Sequence, residues 1–180
     1  MDEKTRLLLI TRTAIFIALL IVLQAATAAL GNVFITGSVV NMLLIIAVMT
    51  CGLPTGLLVS VISPVVAKFF GIGPLWSLIP FIALGNLTLI LIWHFVCGRK
   101  ADARMHFYVI AMITAAVSKF LVLFIGIVKI AVPVFLRLPP QQATIISGMF
   151  SFPQLATAAL GGAVAAVILP RLKKAIQTNR

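Results

Sequence analysis

Carboxylates are nearly absent from this chain: Asp2, Glu3 and Asp102 are the only acids in 180 residues, against fourteen Lys and Arg. All three lie in short charged stretches, so the long apolar runs contain no acid at all. That scarcity excludes several kinds of chemistry. A membrane-embedded lipid transferase needs carboxylates to hold its metal, and an ATPase needs a Gly-x4-Gly-Lys-Ser/Thr phosphate loop, which is also missing. A proton- or sodium-driven carrier usually places an Asp or Glu inside the membrane; here backbone carbonyls or a histidine would have to serve instead. Cysteine is equally scarce. Cys51 and Cys97 are both expected near cytoplasmic helix ends and read as reduced packing thiols rather than a disulfide or metal pair. The two histidines, His94 and His106, fall near the same boundary and read as interfacial packing groups. No catalytic residue, metal site or cofactor is expected, and the chain does not read as an enzyme.

Apolar sequence takes the place of what is missing. With 62% hydrophobic residues and a mean hydropathy of +1.23, a soluble fold would have to cover its own outside in Leu, Ile and Val. The chain therefore reads as an all-α integral membrane protein. Crossing a bilayer core of about 30 Å takes about twenty apolar residues, and breaks at glycine and proline divide the sequence into six such spans. These are expected at 7–29, 37–52, 55–71, 75–97, 106–131 and 143–170, forming one integral membrane domain over 1–180. The breaks are Gly31-Asn32 with Thr36-Gly37-Ser38, the tight Cys51-to-Gly56 turn, Gly71-Ile72-Gly73-Pro74, the polar stretch from Gly98 to Met105, and Pro133 through Gln142. In the tight turn a glycine ends one helix and Pro54 suits the first turn of the next.

The basic residues orient these spans. Ten of the fourteen fall in three places: Lys4, Arg6 and Arg12; Arg99, Lys100 and Arg104; and Arg171, Lys173, Lys174 and Arg180. Lys and Arg in short loops mark the cytoplasmic side. Six spans place both termini and the fourth-to-fifth connection on that side, leaving 30–36, 70–74 and 132–142 as outer loops. The basic residues flank apolar spans instead of clustering on one folded face, which argues against nucleic acid as a partner. A charged start followed by an apolar run and Ala26-Thr27-Ala28 also has the outline of a secretory signal. The stretch Leu7 to Leu23 is longer than a usual signal core, so the first span is expected to remain as a helix.

Helices in lipid associate through close packing of small residues. Such residues recur four apart in the first span (Ala14 and Ala18, then Ala25 and Ala29) and in the sixth (Ala158, Gly162 and Ala166). They serve either internal helix contacts or a face left for another protein.

Read together, several motifs resemble the substrate-binding S components of energy-coupling factor (ECF) vitamin transporters. They are Thr11-Arg12-Thr13-Ala14-Ile15-Phe16-Ile17-Ala18-Leu19-Leu20 in the first span and Gly-Ser-Val-Val-Asn-Met-Leu-Leu at the start of the second. Next come the Gly52-x-Pro54-x-Gly56-Leu57 turn, Ser63-Pro64, and Phe81-Ile82-Ala83-Leu84-Gly85-Asn86 in the fourth span. Each is loose alone; their order along a chain of this length carries the resemblance. It implies a bacterial or archaeal cytoplasmic-membrane protein that captures a small water-soluble vitamin or related micronutrient. Delivery would pass through a membrane T component driven by two cytoplasmic ATPases. It further implies that Ala14 and Ala18 are the docking motif for the T component, and that an outward-facing pocket is lined by helices four to six and capped by the first outer loop.

Polar side chains inside the spans are costly in lipid, so each tends to face a cavity or a partner. Lys119 stands out, about 18 Å by helical rise from the expected outer end at Ala131, with no acid in any span to neutralise it. Either it snorkels or bonds carbonyls, or it offers an ammonium to a ligand carboxylate or phosphate. Lys68 and Lys129 lie nearer an outer edge, where snorkelling is easier. Asn32, Asn41, Trp76, Asn86 and Gln154 complete the candidate substrate-binding set, with Gln141 and Gln142 beside it; Asn86, Lys119 and Gln154 lead because they are deepest. Trp76 also fits an interfacial anchor. Without acids in the spans, a neutral or anionic ligand such as pantothenate is favoured over a cation such as thiamine. Two other readings are a solitary secondary transporter, whose uptake would need no partner chains, and a non-transporting accessory protein, which would hold no stoichiometric ligand.

Overall fold

The computed structural model describes residues 3–98 and 105–178, and among these every regular element is helical. The helices are α1 (Glu3–Ala28), α2 (Val33–Cys51), α3 (Leu53–Phe69), α4 (Ile79–Cys97), α5 (Met105–Leu123), α6 (Pro140–Met149) and α7 (Phe152–Thr178). A single 3-10 turn, Trp76–Leu78, precedes α4, and α5 continues as a wide π-type helix over Phe124–Leu136. The basic loop with Arg99, Lys100, Asp102 and Arg104 lies outside the described residues, as do Asp2 and Arg180.

Six helical passes result, with α6 and α7 together forming the sixth. Five are long and apolar enough to cross a membrane by length and composition. The 17 residues of α3 rise only about 25 Å, a shortfall that local thinning of the bilayer accommodates.

Several boundaries differ from those expected, each for a local reason. The second pass starts four residues early and runs straight through Thr36-Gly37-Ser38. Asn32 caps it, its Oδ1 accepting from the Phe34 and Ile35 amides at 2.9 and 3.4 Å, so the orphan donors of the first turn are met upstream of the glycine. The fifth pass does not stop at 131. Pro133 has no N–H and its ring would clash with the Lys129 carbonyl; the helix widens around it and ends at Arg137, whose φ of 41° is left-handed. The long outer loop expected over 132–142 therefore shrinks to 137–139, since Pro139-Pro140 starts α6. The sixth pass is broken at Phe150-Ser151, Pro153 standing in the first turn of α7 where its missing N–H is not needed, and it continues past Pro170 to Thr178. At the tight turn, Gly52 has a φ of 92°, a left-handed region that suits glycine.

Close backbone approach holds the bundle's centre. A Cβ added to Gly161 of α7 would sit 2.5 Å from the Ser38 carbonyl and 2.8 Å from Asn41 Cβ, and one on Gly37 of α2 would strike the Thr157 side chain at 2.8 Å. These glycines let α2 and α7 touch directly. The small residues Ala158, Gly162 and Ala166 point the same way: the two alanines are buried, and Gly162 packs on Met112 and Trp93. That stripe is internal. The first helix differs, burying only Thr13 and Leu20.

Two apolar clusters fill the interior. The larger joins Leu43–Met49 of α2 to Leu89, Trp93, Ala115, Ala116 and Ala165. The smaller gathers Leu78, Leu123, Ile127, Ala131, Ile146 and Phe150 at the other end. Along α5 the two meet around position 119.

Candidate functional site

Lys119 occupies that boundary. It follows Ala115 and Ala116 of the first cluster and precedes Leu123 of the second, so its helical face carries it inward, where it is only 4% exposed. Its Nζ donates to Asn41 Oδ1 of α2 at 2.6 Å and to Asn86 Oδ1 of α4 at 2.8 Å. Asn41 is fixed in turn, its Nδ2 donating to Thr157 Oγ1 on α7 at 3.4 Å, and that hydroxyl donates to the Gln154 carbonyl at 3.3 Å. One polar layer thus ties four helices together. An ammonium has three N–H donors, and two of Lys119's are engaged. Burying a charge costs several kcal/mol unless something compensates it. Amide dipoles do so only in part, and the one acid among the described residues, Glu3, is exposed at the start of α1.

The layer forms the floor of a cavity of about 350 Å³. Its rim is the pair of connections at one end of the bundle, with Gly31 and Asn32 on one side and Ile72, Gly73 and Pro74 on the other. Its walls are mainly apolar, including Leu20, Val40, Pro64, Ile82, Leu123 and Phe150. Neutral polar groups interrupt them: Gln24, Thr36, Ser63 and Gln154. Few polar groups in a largely apolar concavity is the usual composition of a small-molecule site, and the volume is at the compact end of the usual range of about 300–1,000 Å³. Among the described residues no group of three or more His, Cys, Asp or Glu is gathered as for a metal.

Five of the eight sequence candidates meet in this cavity: Asn32, Asn41, Asn86, Lys119 and Gln154. Their parts differ. Asn32 spends its side-chain oxygen capping α2, and Gln154 donates from Nε2 to the Met149 carbonyl at 3.2 Å, bridging the α6–α7 break. Lys68, Trp76 and Lys129 do not line it. Lys68 reaches back to the Gly73 carbonyl at 3.4 Å, Trp76 is half exposed and packs edge-on against Phe69, and Lys129 lies exposed over the Phe124 ring at 5.5 Å. Gln141 and Gln142 are exposed on α6. Sequence reasoning passed over Thr157, Ser63, Thr36 and Gln24. Thr157 and Ser63 are buried polar groups in apolar helices, the same signal that singled out Asn86. Hydroxyls carry that signal weakly, because Ser and Thr can satisfy themselves on the carbonyl one turn back.

Ala14 and Ala18 are both exposed, and their spacing of four puts them on one face of α1, outside the bundle. The bundle therefore combines a helix with an unburied small-residue face and a buried cation beneath a cavity. The sequence model described as "ECF transporter, substrate-specific component" matches residues 8–172. The chain belongs to that family. Comparison with curated proteins and with solved structures returned no match.

Membership makes the chain an S component: a transport subunit, built from apolar helices as a multi-pass membrane protein, specific for a small-molecule substrate and partnered by ECF T and ATPase components. The cavity of this S component is broader in origin than the family resemblance implied. Helices α1, α2 and α3 contribute to it alongside α4, α5 and the α6–α7 break.

Proposed function

We propose that this S component captures a small, water-soluble vitamin or related micronutrient, neutral or anionic, in the cavity above Lys119. The rim formed by 29–32 and 70–75 faces outward, as the positive-inside pattern of the basic residues requires. Delivery to the cytoplasm then passes through a T component energised by two ATPases, in a bacterial or archaeal cytoplasmic membrane. The observation that carries this reading is the buried Lys119–Asn41–Asn86 layer at the cavity floor: a desolvated cation held by dipoles alone is expensive, and a ligand site gives it a use. Free energy for transport comes from the partner chains, which fits spans without carboxylates.

Docking is assigned to the exposed Ala14–Ala18 face of α1. Replacing both by Leu should leave substrate binding by the purified subunit unchanged and abolish uptake by cells that carry the T component and ATPases. Uptake that survives both replacements, or uptake in cells lacking the partner chains, sinks the assignment.

A further inference from the structure

The ligand's chemistry is written in the cavity lining more narrowly than "neutral or anionic", and this step rests on the function proposed above. Among the described residues, Lys119 is the only charged one that lines the cavity. It is enclosed, and its two acceptors hold Nζ between α2 and α4 at 2.6 and 2.8 Å, so the third N–H is the one donor left for a bound molecule. Asn86 also lines the cavity, and with its Oδ1 accepting from Lys119 its Nδ2 group stands beside the ammonium as a second donor type. One cation and neutral donors match one negative charge. A phosphate ester, with close to two charges near neutral pH, would keep an uncompensated charge in a low-dielectric site.

The walls restrict the remainder of the molecule. Among the described residues Phe150 is the single aromatic one of the lining and is itself buried, so they present no ring pair for stacking a flat heterocycle. Leu20, Val40, Pro64, Ile82 and Leu123 suit an aliphatic body. Between them, Gln24, Thr36, Ser63 and Gln154 suit hydroxyl or amide groups on it.

We infer that the substrate of this cavity is a compact aliphatic monocarboxylate bearing hydroxyl or amide groups, its carboxylate seated on Lys119 Nζ and Asn86 Nδ2. Lys119 and Asn86 then determine specificity for charge, and the absence of an aromatic clamp determines specificity for shape.

The test uses the full chain in lipid nanodiscs and isothermal titration with matched probes: pantothenate against pantothenol, biotin against biotinamide, and lipoate against lipoamide, with riboflavin and thiamine as a planar neutral and a cationic probe. In parallel, mass spectrometry identifies any small molecule released when the freshly purified protein is denatured. At least one carboxylate should bind, and its uncharged partner should bind weaker by about tenfold to a hundredfold, the worth of one hydrogen bond to a charged group. In Lys119→Met, shown to be folded by a cooperative thermal transition, that gap should close. The inference is overturned by an uncharged partner binding as well as its carboxylate, by tightest binding of riboflavin or thiamine, by a charge preference that survives Lys119→Met, or by a released molecule without a carboxylate. If no probe binds, a released monocarboxylate supports it. If no probe binds and nothing is released, the proposed function itself fails with it. Tight binding and uptake of a neutral ligand leaves that function standing and removes only the charge assignment.

Discussion

Lys119, Asn41 and Asn86 come from three helices and meet at distances of 2.6 and 2.8 Å, so each asparagine oxygen contributes differently from an ordinary interhelical contact. A hydrogen bond between membrane helices averages about 0.6 kcal/mol, whereas one to a charged group is worth about 1.5–3 kcal/mol. Asn86→Leu should therefore lower stability by about 1–3 kcal/mol, read as a lower thermal midpoint in detergent. Thr157→Val should cost no more than about 0.6 kcal/mol, because its contact with Asn41 is long, at 3.4 Å. Equal losses in the two variants would mean that the layer is held by packing rather than by the ammonium. At this scale the sequence was informative wherever burial is expensive: Lys119 and Asn86 could be chosen because lipid tolerates neither without a partner. It was silent on Lys68, Trp76 and Lys129, whose position near the edge suits an anchor as well as a ligand contact. Distinguishing these needs the rotational phase of each helix. In a membrane helix both the lipid face and the core face are apolar, so the pattern of hydrophobic residues carries little phase information.

Among the elements, α2 and α7 pack in direct contact, and glycine makes that possible. An alanine at Gly161 would press its methyl into the Ser38 carbonyl and Asn41 Cβ, forcing backbone to move and displacing one of the two acceptors of Lys119. Gly161→Ala is expected to destabilise by about 1–3 kcal/mol, as overpacking typically does. Gly148 on α6 has open space around its would-be Cβ and helical backbone. Gly148→Ala should be neutral or stabilise by about 0.4–1 kcal/mol, and thermal melts of the two variants side by side check the contrast. The turns at Gly31, Gly52, Gly71, Gly73 and Gly98 were legible in advance, and all five glycines have positive φ. The break expected at Thr36-Gly37-Ser38 was not one: Asn32 caps the helix upstream, and Gly37 is there for the close approach of Thr157, 120 positions away and invisible to any local reading. The widened helix around Pro133 and the split of the sixth pass at Phe150-Ser151 were missed for a related reason. Proline punctuates a helix in lipid by distorting or restarting it as readily as by ending it.

For the whole molecule, the distribution of charge and the distribution of packing describe the same division of labour. The centre is densely packed: α2, α4, α5 and α7 share the larger apolar cluster and the polar layer. The periphery is α1, with few buried side chains and exposed Ala14 and Ala18, which suits a helix that meets a partner. Between them lies the cavity, with Lys119 as the only charge on it among the described residues and with Lys68 and Lys129 outside its lining. The central claim is that this cavity, through Lys119, is where the S component holds its substrate. Lys119→Met removes the desolvation cost of a buried charge but also the two hydrogen bonds to Asn41 and Asn86, so binding is read only in variant protein whose thermal midpoint shows it folded. The most direct measurement is the amount of small molecule retained per protein, by native mass spectrometry, in wild type, Lys119→Met and Lys129→Met purified identically. Wild type and Lys129→Met should each carry one ligand per chain and folded Lys119→Met none; a Lys119→Met protein that retains its ligand in full would contradict the assignment of the site.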